Sequence, residues 1–353
     1  MLNRFFLATI VALIFVPAVY ANPLAYVTNS EDNNVSIVDR ITNMVVDTIP
    51  VGETPSGIAI SPNGTRLYVV NQDSNNVSVI DTSTNIVITT IDVGDTPAEV
   101  AITPDGSQVY VTNEESDDVS VISTASHSVI ATIPVGQNPS GVAITPDGTR
   151  AYVSDGLDDT ISVIDTTSNT VIDTIINGDV PLLIAISPDG TRAYVANLRD
   201  DAVSVIDTAT NMVINMIPVG NGPVGVAITP DGTLLYVSNT FSVDMVSVVD
   251  LSTDTVVDRI LLGESEPGRV VINPEGTRVY VVNFTGDNVI IIDRATNTIV
   301  DTISVGEGPV GLALAPPPPP RNVPTLSEWG LIAMAGILAI AGLFYIRKKR
   351  MTA

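Results

Sequence analysis

The sequence contains no cysteine, one histidine (His127), one tryptophan (Trp329) and two lysines, Lys348 and Lys349, both within the last six residues. Absence of cysteine removes disulfides, thiolate nucleophiles and thiolate metal sites together. Absence of lysine from the body of the chain removes Schiff-base chemistry there. A single histidine leaves a Ser-His-Asp triad one base to draw on, and is too few for a haem or a histidine-ligated metal. Positive charge is scarce as well. Between Asn22 and Ala315 stand 38 acids and 9 arginines, a net charge of −29. No basic patch exists in that segment to release counterions, so nucleic acid and anionic lipid headgroups are not expected as its partners. An acidic, lysine-free surface suits a protein kept soluble outside the cell.

Residues 1–21 read as a signal peptide. Arg4 supplies a positive start, "FFLATIVALIF" an apolar core, Pro17 a break, and "VYA" (Val19 to Ala21) a small-residue cleavage pattern. The apolar run is short for a membrane span, which favours a cleaved signal over an anchor and places the mature start at Asn22.

What the chain has in abundance is a repeat. Tyrosines of "YV" pairs fall at Tyr26, Tyr68, Tyr110, Tyr152, Tyr194, Tyr236 and Tyr280, in five steps of 42 and one of 44. The two extra residues fall in the loops "NTFSVDM" and "GESEPG". A period in the low forties made of short strands and turns is that of a propeller blade. Four strands are legible per unit: a ("GIAI", Gly57 to Ile60), b ("YVTN"), c ("VSVID") and d ("VVDTI"), each β-branched and bounded by Gly, Pro, Asn or Asp. Strand a is small at its centre (Ala59, Ala101, Ala143, Ala185, Ala227, Ala313, with Val271 the exception), as the narrow end of a blade requires. The a–b connection "TPDGT" is turn chemistry, which accounts for Asp105, Asp147, Asp189 and Asp231. The repeat enters at strand b and leaves after strand a. The expected fold of residues 22–315 is therefore all-β: a seven-bladed β-propeller of four-stranded blades, whose last blade pairs N-terminal strands b–d with a C-terminal strand a. Such closure leaves no open end, a substitute for disulfides.

The segment "AYVTNSEDNNVSIVDRITNMVVDTIPVGETPSGIAISPNGTR" (Ala25 to Arg66) and its copies resemble the YVTN-type β-propeller family, found among surface-layer and other extracytoplasmic proteins. The resemblance implies the fold and leaves activity open, since similar propellers include binding scaffolds, lactonase-like enzymes and cofactor-bearing oxidoreductases.

The tail differs from all of this. Residues 316–323 form a Pro-rich linker, stiff and extended. "VPTLSEWG" (Val323, Pro324, Thr325, Leu326, Ser327, Glu328, Trp329, Gly330) resembles the IPTL-type C-terminal sorting signal of Gram-negative bacteria, with valine where that family most often has isoleucine. Residues 324–353 complete the arrangement. The apolar stretch 330–346 would span about 25 Å as a transmembrane helix, and Arg347, Lys348, Lys349 and Arg350 form a basic stop-transfer tail held in the cytoplasm. The resemblance implies a processing enzyme that cuts near the motif and passes the protein from the periplasmic face of the inner membrane to the cell surface. A simple C-terminal anchor is the alternative.

No catalytic constellation is expected. His127 sits in the c–d turn "STASHS", where other units carry Asn or Asp, and reads as an exposed polar residue. A quinone-bearing propeller would offer several stacking tryptophans, and Trp329 lies in the sorting signal. The oxygen-rich b–c loops, such as "SEDNN" and "EESDD", offer ligands for Ca2+, but without the spaced Asp-x-Asp-x-Asp-Gly pattern, and Asn and Asp are equally favoured in tight hairpins. No metal or cofactor is expected beyond that alternative. The b–c and d–a loops should share one face of the disc. There the first three b–c loops have polar tips, whereas the last four present Leu157, Leu198 with Arg199, Phe241 and Phe284, and Leu182 and Leu183 enter from the d–a side. Exposed apolar residues with an arginine suit an interface. The expected function is a non-enzymatic binding or structural scaffold that meets envelope or surface proteins or polysaccharide through that face. The rival is a lactonase-like hydrolase or cofactor-dependent oxidoreductase with its site at the axis. N-terminal sequencing of the protein from its own cells is expected to begin Asn22-Pro23-Leu24; a sequence that retains residues before Ala21 would restore the N-terminal anchor.

Overall fold

The computed structural model describes residues 23–316 except 242, 243 and 264. The expected signal peptide, most of the linker, the sorting signal and the helix 330–346 lie outside the described residues. Chain order begins with β1 (Leu24–Asn29), β2 (Asn34–Asp39) and β3 (Met44–Pro50), followed by six quartets. Blade 1 is β4 (Pro55–Ile60), β5 (Arg66–Asn71), β6 (Asn76–Asp81) and β7 (Ile86–Asp92). Blade 2 is β8 (Pro97–Ile102), β9 (Gln108–Asn113), β10 (Asp118–Ser123) and β11 (Ser128–Pro134). Blade 3 is β12 (Pro139–Ile144), β13 (Arg150–Asp155), β14 (Thr160–Asp165) and β15 (Thr170–Ile176). Blade 4 is β16 (Pro181–Ile186), β17 (Arg192–Asn197), β18 (Ala202–Asp207) and β19 (Met212–Pro218). Blade 5 is β20 (Pro223–Ile228), β21 (Leu234–Asn239), β22 (Met245–Asp250) and β23 (Thr255–Leu261). Blade 6 is β24 (Pro267–Ile272), β25 (Arg278–Asn283), β26 (Asn288–Asp293) and β27 (Thr298–Ser304), and β28 (Pro309–Leu314) ends the series.

Each blade is an antiparallel sheet in a–b–c–d order, and blade 7 is β28-β1-β2-β3, the closure expected from the phase of the repeat. Its register sets Ala25 opposite Leu314, Tyr26 opposite Ala313 and Val27 opposite Leu312. The seven strands a contact one another in sequence around the axis, β28 meeting both β24 and β4. The architecture is an all-β, seven-bladed propeller of four-stranded blades.

Burial follows the radial position of each strand. Strands b and c are almost wholly buried, since both of their faces meet a neighbouring blade, whereas strands d alternate and expose residues such as Met44, Ile86 and Ile172 on the rim. The seven "YV" tyrosines are all buried between blades. Three of the hydroxyls reach the c–d turn of the next blade: Tyr110 donates to Asn169 Oδ1 (2.5 Å), Tyr152 to Asn211 Oδ1 (2.9 Å) and Tyr236 to Asn297 Oδ1 (2.9 Å). His127 takes the equivalent turn position in blade 2, with φ of 50°; it is half-buried, not exposed as expected, and its Nδ1 is buried without a partner.

At the axis the strands crowd. A Cβ on Gly311 would lie 2.3 Å from the Ser56 carbonyl oxygen, one on Gly141 2.3 Å from that of Leu182, one on Gly225 2.3 Å from that of Gly268, and one on Gly57 2.6 Å from that of Ala98. Hydroxyls from strand b stitch the same contact: Thr28 Oγ1 accepts from Gly311 N–H and donates to Ser56 O, and Ser154 does the same for Gly141 and Leu182. On the a–b side the turn prolines of blades 1 to 5 lie against the turn glycine of the next blade, as Pro62 does beside Gly106 and Pro104 beside Gly148. Pro316 lies beside Gly64 in the same manner, so the first proline of the run fills the turn position of blade 7. The described residues end at that point, on the a–b/c–d face. Gly311→Ala is expected to destabilise the propeller by about 1–3 kcal/mol, the scale of overpacking against backbone that cannot yield; a melting temperature unchanged from wild type would show that the closure relaxes.

Candidate functional site

The opposite face is built by hydrogen bonds between b–c and d–a loops. Gln72 N–H donates to Thr54 O, Glu114 to Thr96 O, Gly156 to Asn138 O, Leu198 to Val180 O, Thr240 to Gly222 O and Phe284 to Glu266 O. These bonds hold the two loop sets together on one face, as the strand order requires. Loop side chains complete the lattice. Asn33, Asn75, Asp117, Asp159, Asp201, Asp244 and Asp287 each accept a backbone N–H from the d–a loop 21 residues on. The oxygen-rich loops are thus occupied with backbone amides, and among the described residues no group of three or more His, Cys, Asp or Glu side chains is gathered to hold a metal ion.

A second layer lies beneath. The last residue of strand b is buried, and Asn71 shows its use: Oδ1 accepts from Gly52 N–H (3.1 Å), while Nδ2 donates to Asn76 Oδ1 (2.7 Å) and Ser78 Oγ (2.9 Å). Blade 3 inverts the polarity. Asp155 stands for the asparagine and accepts three bonds, from Gly136 N–H (3.1 Å), Thr160 Oγ1 (2.9 Å) and Ser162 Oγ (2.8 Å). Its partner is accordingly a donor, Thr160, where other blades have Asn34, Asn76 or Asp118. Burial outweighs these bonds and pushes the Asp155 carboxyl up to about 6.

At the centre of the face is a mouth of about 300 Å³. Its depth is set by the residue after the second position of strand a, which reads Gly57, Glu99, Gly141, Leu183, Gly225, Arg269 and Gly311 around the ring. From β4 to β28 glycine alternates with a side chain, and at the seam Gly311 and Gly57 adjoin, because neighbouring backbones approach too closely for every blade to carry one. Glu99 and Arg269 form an ion pair. They stand on β8 and β24, which are not neighbours: β8 contacts β4 and β12, and β24 contacts β20 and β28. The pair therefore spans the bore. Glu99 Oε1 accepts from Val100 N–H (2.9 Å), and Oε2 faces Arg269 Nη2. Burial lowers Arg269 to about 10, which leaves it protonated at neutral pH beside the carboxylate. Glu114 stands in the rim of the mouth, its carboxyl raised by burial and by the charge of Glu115.

Of the residues expected at the interface, Leu182, Leu183 and Phe284 line this mouth. Leu157 and Phe241 stand on loop tips outside it, 68% and 50% exposed, Phe241 lying over Gly222. Leu198 is half-buried and Arg199 exposed, 3.8 Å from Asp179. The structure thus divides the seven between an inner and an outer group. Glu99 and Arg269 were not singled out from the sequence, although their signal is there: "EVAI" and "RVVI" place a charge where four copies of strand a place glycine.

Comparison with known proteins agrees with this architecture. The IPTL-CTERM motif matches residues 323–350, and the Choice-of-anchor I domain matches residues 71–224. Both fit an exported, surface-associated protein. Among curated proteins none matches the chain. Among solved structures, the chain is similar to Kuenenia stuttgartiensis hydrazine synthase at 27% identity, covering 74% of this chain and 90% of that one with a TM-score of 0.71. A functionally unknown protein from Desulfotomaculum acetoxidans is 20% identical, covering 84% of this chain and all of that one with a TM-score of 0.73. A candidate 6-phosphogluconolactonase from Bacteroides uniformis is 18% identical, covering 83% and 100% with a TM-score of 0.70. The last two likenesses show the fold alone.

Because Asp155 holds its proton more tightly folded than unfolded, its ionisation destabilises the native state: the penalty is complete above about pH 6 and vanishes below about pH 4. Asp155→Asn is expected to be more stable than wild type at pH 7, by up to about 3 kcal/mol, with the gap closing as pH falls to 4. Denaturant melts of both proteins across that range check this, and a gap independent of pH would show that the carboxyl does not titrate there.

Proposed function

We propose that this protein is a YVTN-type propeller, exported and displayed on the envelope or cell surface, where it acts as a non-enzymatic scaffold. Its b–c/d–a face meets an envelope protein or surface polysaccharide. The observation that carries the reading is that the departures from the repeat gather on one face: the mouth with its apolar wall and crossing ion pair, and the exposed Leu157 and Phe241 around it. The tail supports the destination. Its motif match fits handling by a sorting enzyme after a stage at the periplasmic face of the inner membrane. The propeller's own end, Pro316, lies on the opposite face from the mouth.

Catalysis has little to draw on at the mouth. Its serines, Ser56 and Ser140, donate to Ala98 O (2.9 Å) and Pro181 O (3.2 Å) as part of the inter-blade stitching, and its lining includes no histidine or lysine. One observation favours the enzyme alternative: Glu114, with its raised carboxyl at the rim, is a candidate acid–base group for a lactonase-like hydrolase or an oxidoreductase. A hydrolase and dye-reduction screen, with and without divalent metal, is expected to show no turnover; turnover lost in Glu114→Gln would reverse the reading. For the binding function, the full-length protein is incubated with protein and polysaccharide fractions of its own cell envelope. Leu157→Ser with Phe241→Ser is expected to lower retention several-fold at unchanged melting temperature. Equal retention by the folded double variant would remove the face from consideration.

A further inference from the structure

We infer that the axial mouth binds a small zwitterion with an apolar body, the chemical class of the free hydrophobic amino acids. The inference rests on the reading of the b–c/d–a face as the recognition face, and it assigns that face a small-molecule site of its own.

The first ground is the placing of the exceptions. Seven copies of strand a converge on the bore, and four carry glycine where a Cβ would strike the next blade. The other three carry one acid, one aliphatic and one base: Glu99, Leu183 and Arg269. All three open into the same mouth, joined by Leu182 and Phe284. Packing explains the glycines and accounts in part for Leu183, which also lies against the core between blades 4 and 5, but it leaves the acid and the base unexplained. A buried ion pair is a weak source of stability, because desolvating both charges offsets most of their attraction, and an apolar pair of similar volume often does as well.

The second ground is chemical complementarity. Glu99 and Arg269 are opposite charges on opposite walls, and Arg269 makes no contact with a described acceptor other than the Glu99 carboxylate. Its guanidinium has five N–H donors, so it can serve a ligand carboxylate beside Glu99. An ammonium finds the carboxylates of Glu99 and Glu114, and the apolar body lies against Leu182, Leu183 and Phe284. The third ground is the field. A surface carrying −29 repels free anions, so a carboxylate reaches Arg269 most readily on a molecule that brings its own positive charge. Size agrees: about 300 Å³ lies at the small end of ligand pockets.

Calorimetric titration of the full-length protein tests this with leucine, phenylalanine, N-acetyl-leucine and leucinamide. Leucine and phenylalanine are expected to bind. N-acetyl-leucine, which lacks the ammonium, and leucinamide, which lacks the carboxylate, should each bind at least about tenfold more weakly, the loss of one charge-assisted bond. The double substitution Glu99→Met with Arg269→Met, which removes both charges together, is expected to fold and to lose leucine binding. Leucinamide binding as tightly as leucine would make the mouth a cation site, N-acetyl-leucine binding as tightly would make it an anion site, and either overturns the inference. So does the absence of binding by all four compounds, or leucine binding that survives in the folded double variant. Should that variant not fold, the four compounds decide with the wild-type protein. Leu157 and Phe241 stand outside the mouth, so envelope retention that depends on them while leucine fails to bind would reject this site and leave the recognition face standing.

Discussion

Everything in this molecule is arranged around the lack of room at its axis. Seven strands meet there, and a carbonyl oxygen of the next blade occupies the space a side chain would need at Gly311, Gly57, Gly141 and Gly225. Small residues inside and bulky ones further out are the direct result, with the buried tyrosines filling the wedge between blades as it widens. The same constraint limits what the axis can carry. Side chains are admitted on alternate blades, and this ring spends them on an acid, a leucine and a base.

The acidic composition has a local explanation as well as a global one. Much of the negative charge is engaged in hydrogen bonds to backbone N–H groups. The a–b turn aspartates show it on one face, where Asp105 accepts from Ser107 N–H and Thr103 Oγ1, bonds that hold its carboxyl below the usual range. The b–c loop residues show it on the other, each accepting an N–H from the d–a loop. Carboxylates are strong acceptors for such bonds, and left-handed positions such as Asp117 and Asp159 suit Asp and Asn. A cysteine-free chain is thus pinned by repeated short contacts between loops rather than by covalent bridges.

This explains which parts of the molecule were legible in the sequence. Period, strand order and the shared last blade follow from local patterns that recur every 42 residues, and recurrence averages out local ambiguity. The face carrying Leu157, Leu198, Arg199, Phe241 and Phe284 was legible too, because strand direction fixes which loops lie together. Radius was not. Whether a loop residue turns toward the axis, as Phe284 does, or stays at a tip, as Leu157 does, depends on loop conformation rather than on pattern. The Glu99–Arg269 pair was hidden for a related reason: each residue looks like a stray charge in its own repeat, and only the circle brings them together. His127 was misjudged because its own side chain is half-buried, with Nδ1 out of reach of water, in a turn whose Ala125 and Ser126 are exposed.

The closing strand also determines how the molecule answers to force. In chain order β28 is the last strand of the ring, so force applied to the chain beyond Pro316 would reach the propeller first at the strand that completes it. Drawn along its own length, β28 loads its hydrogen bonds to β1 in parallel rather than one after another, while Thr28, bonded to Gly311 N–H and Ser56 O, resists its sliding. The bonds that close the ring are thus also the first to bear a load applied from the C-terminal side.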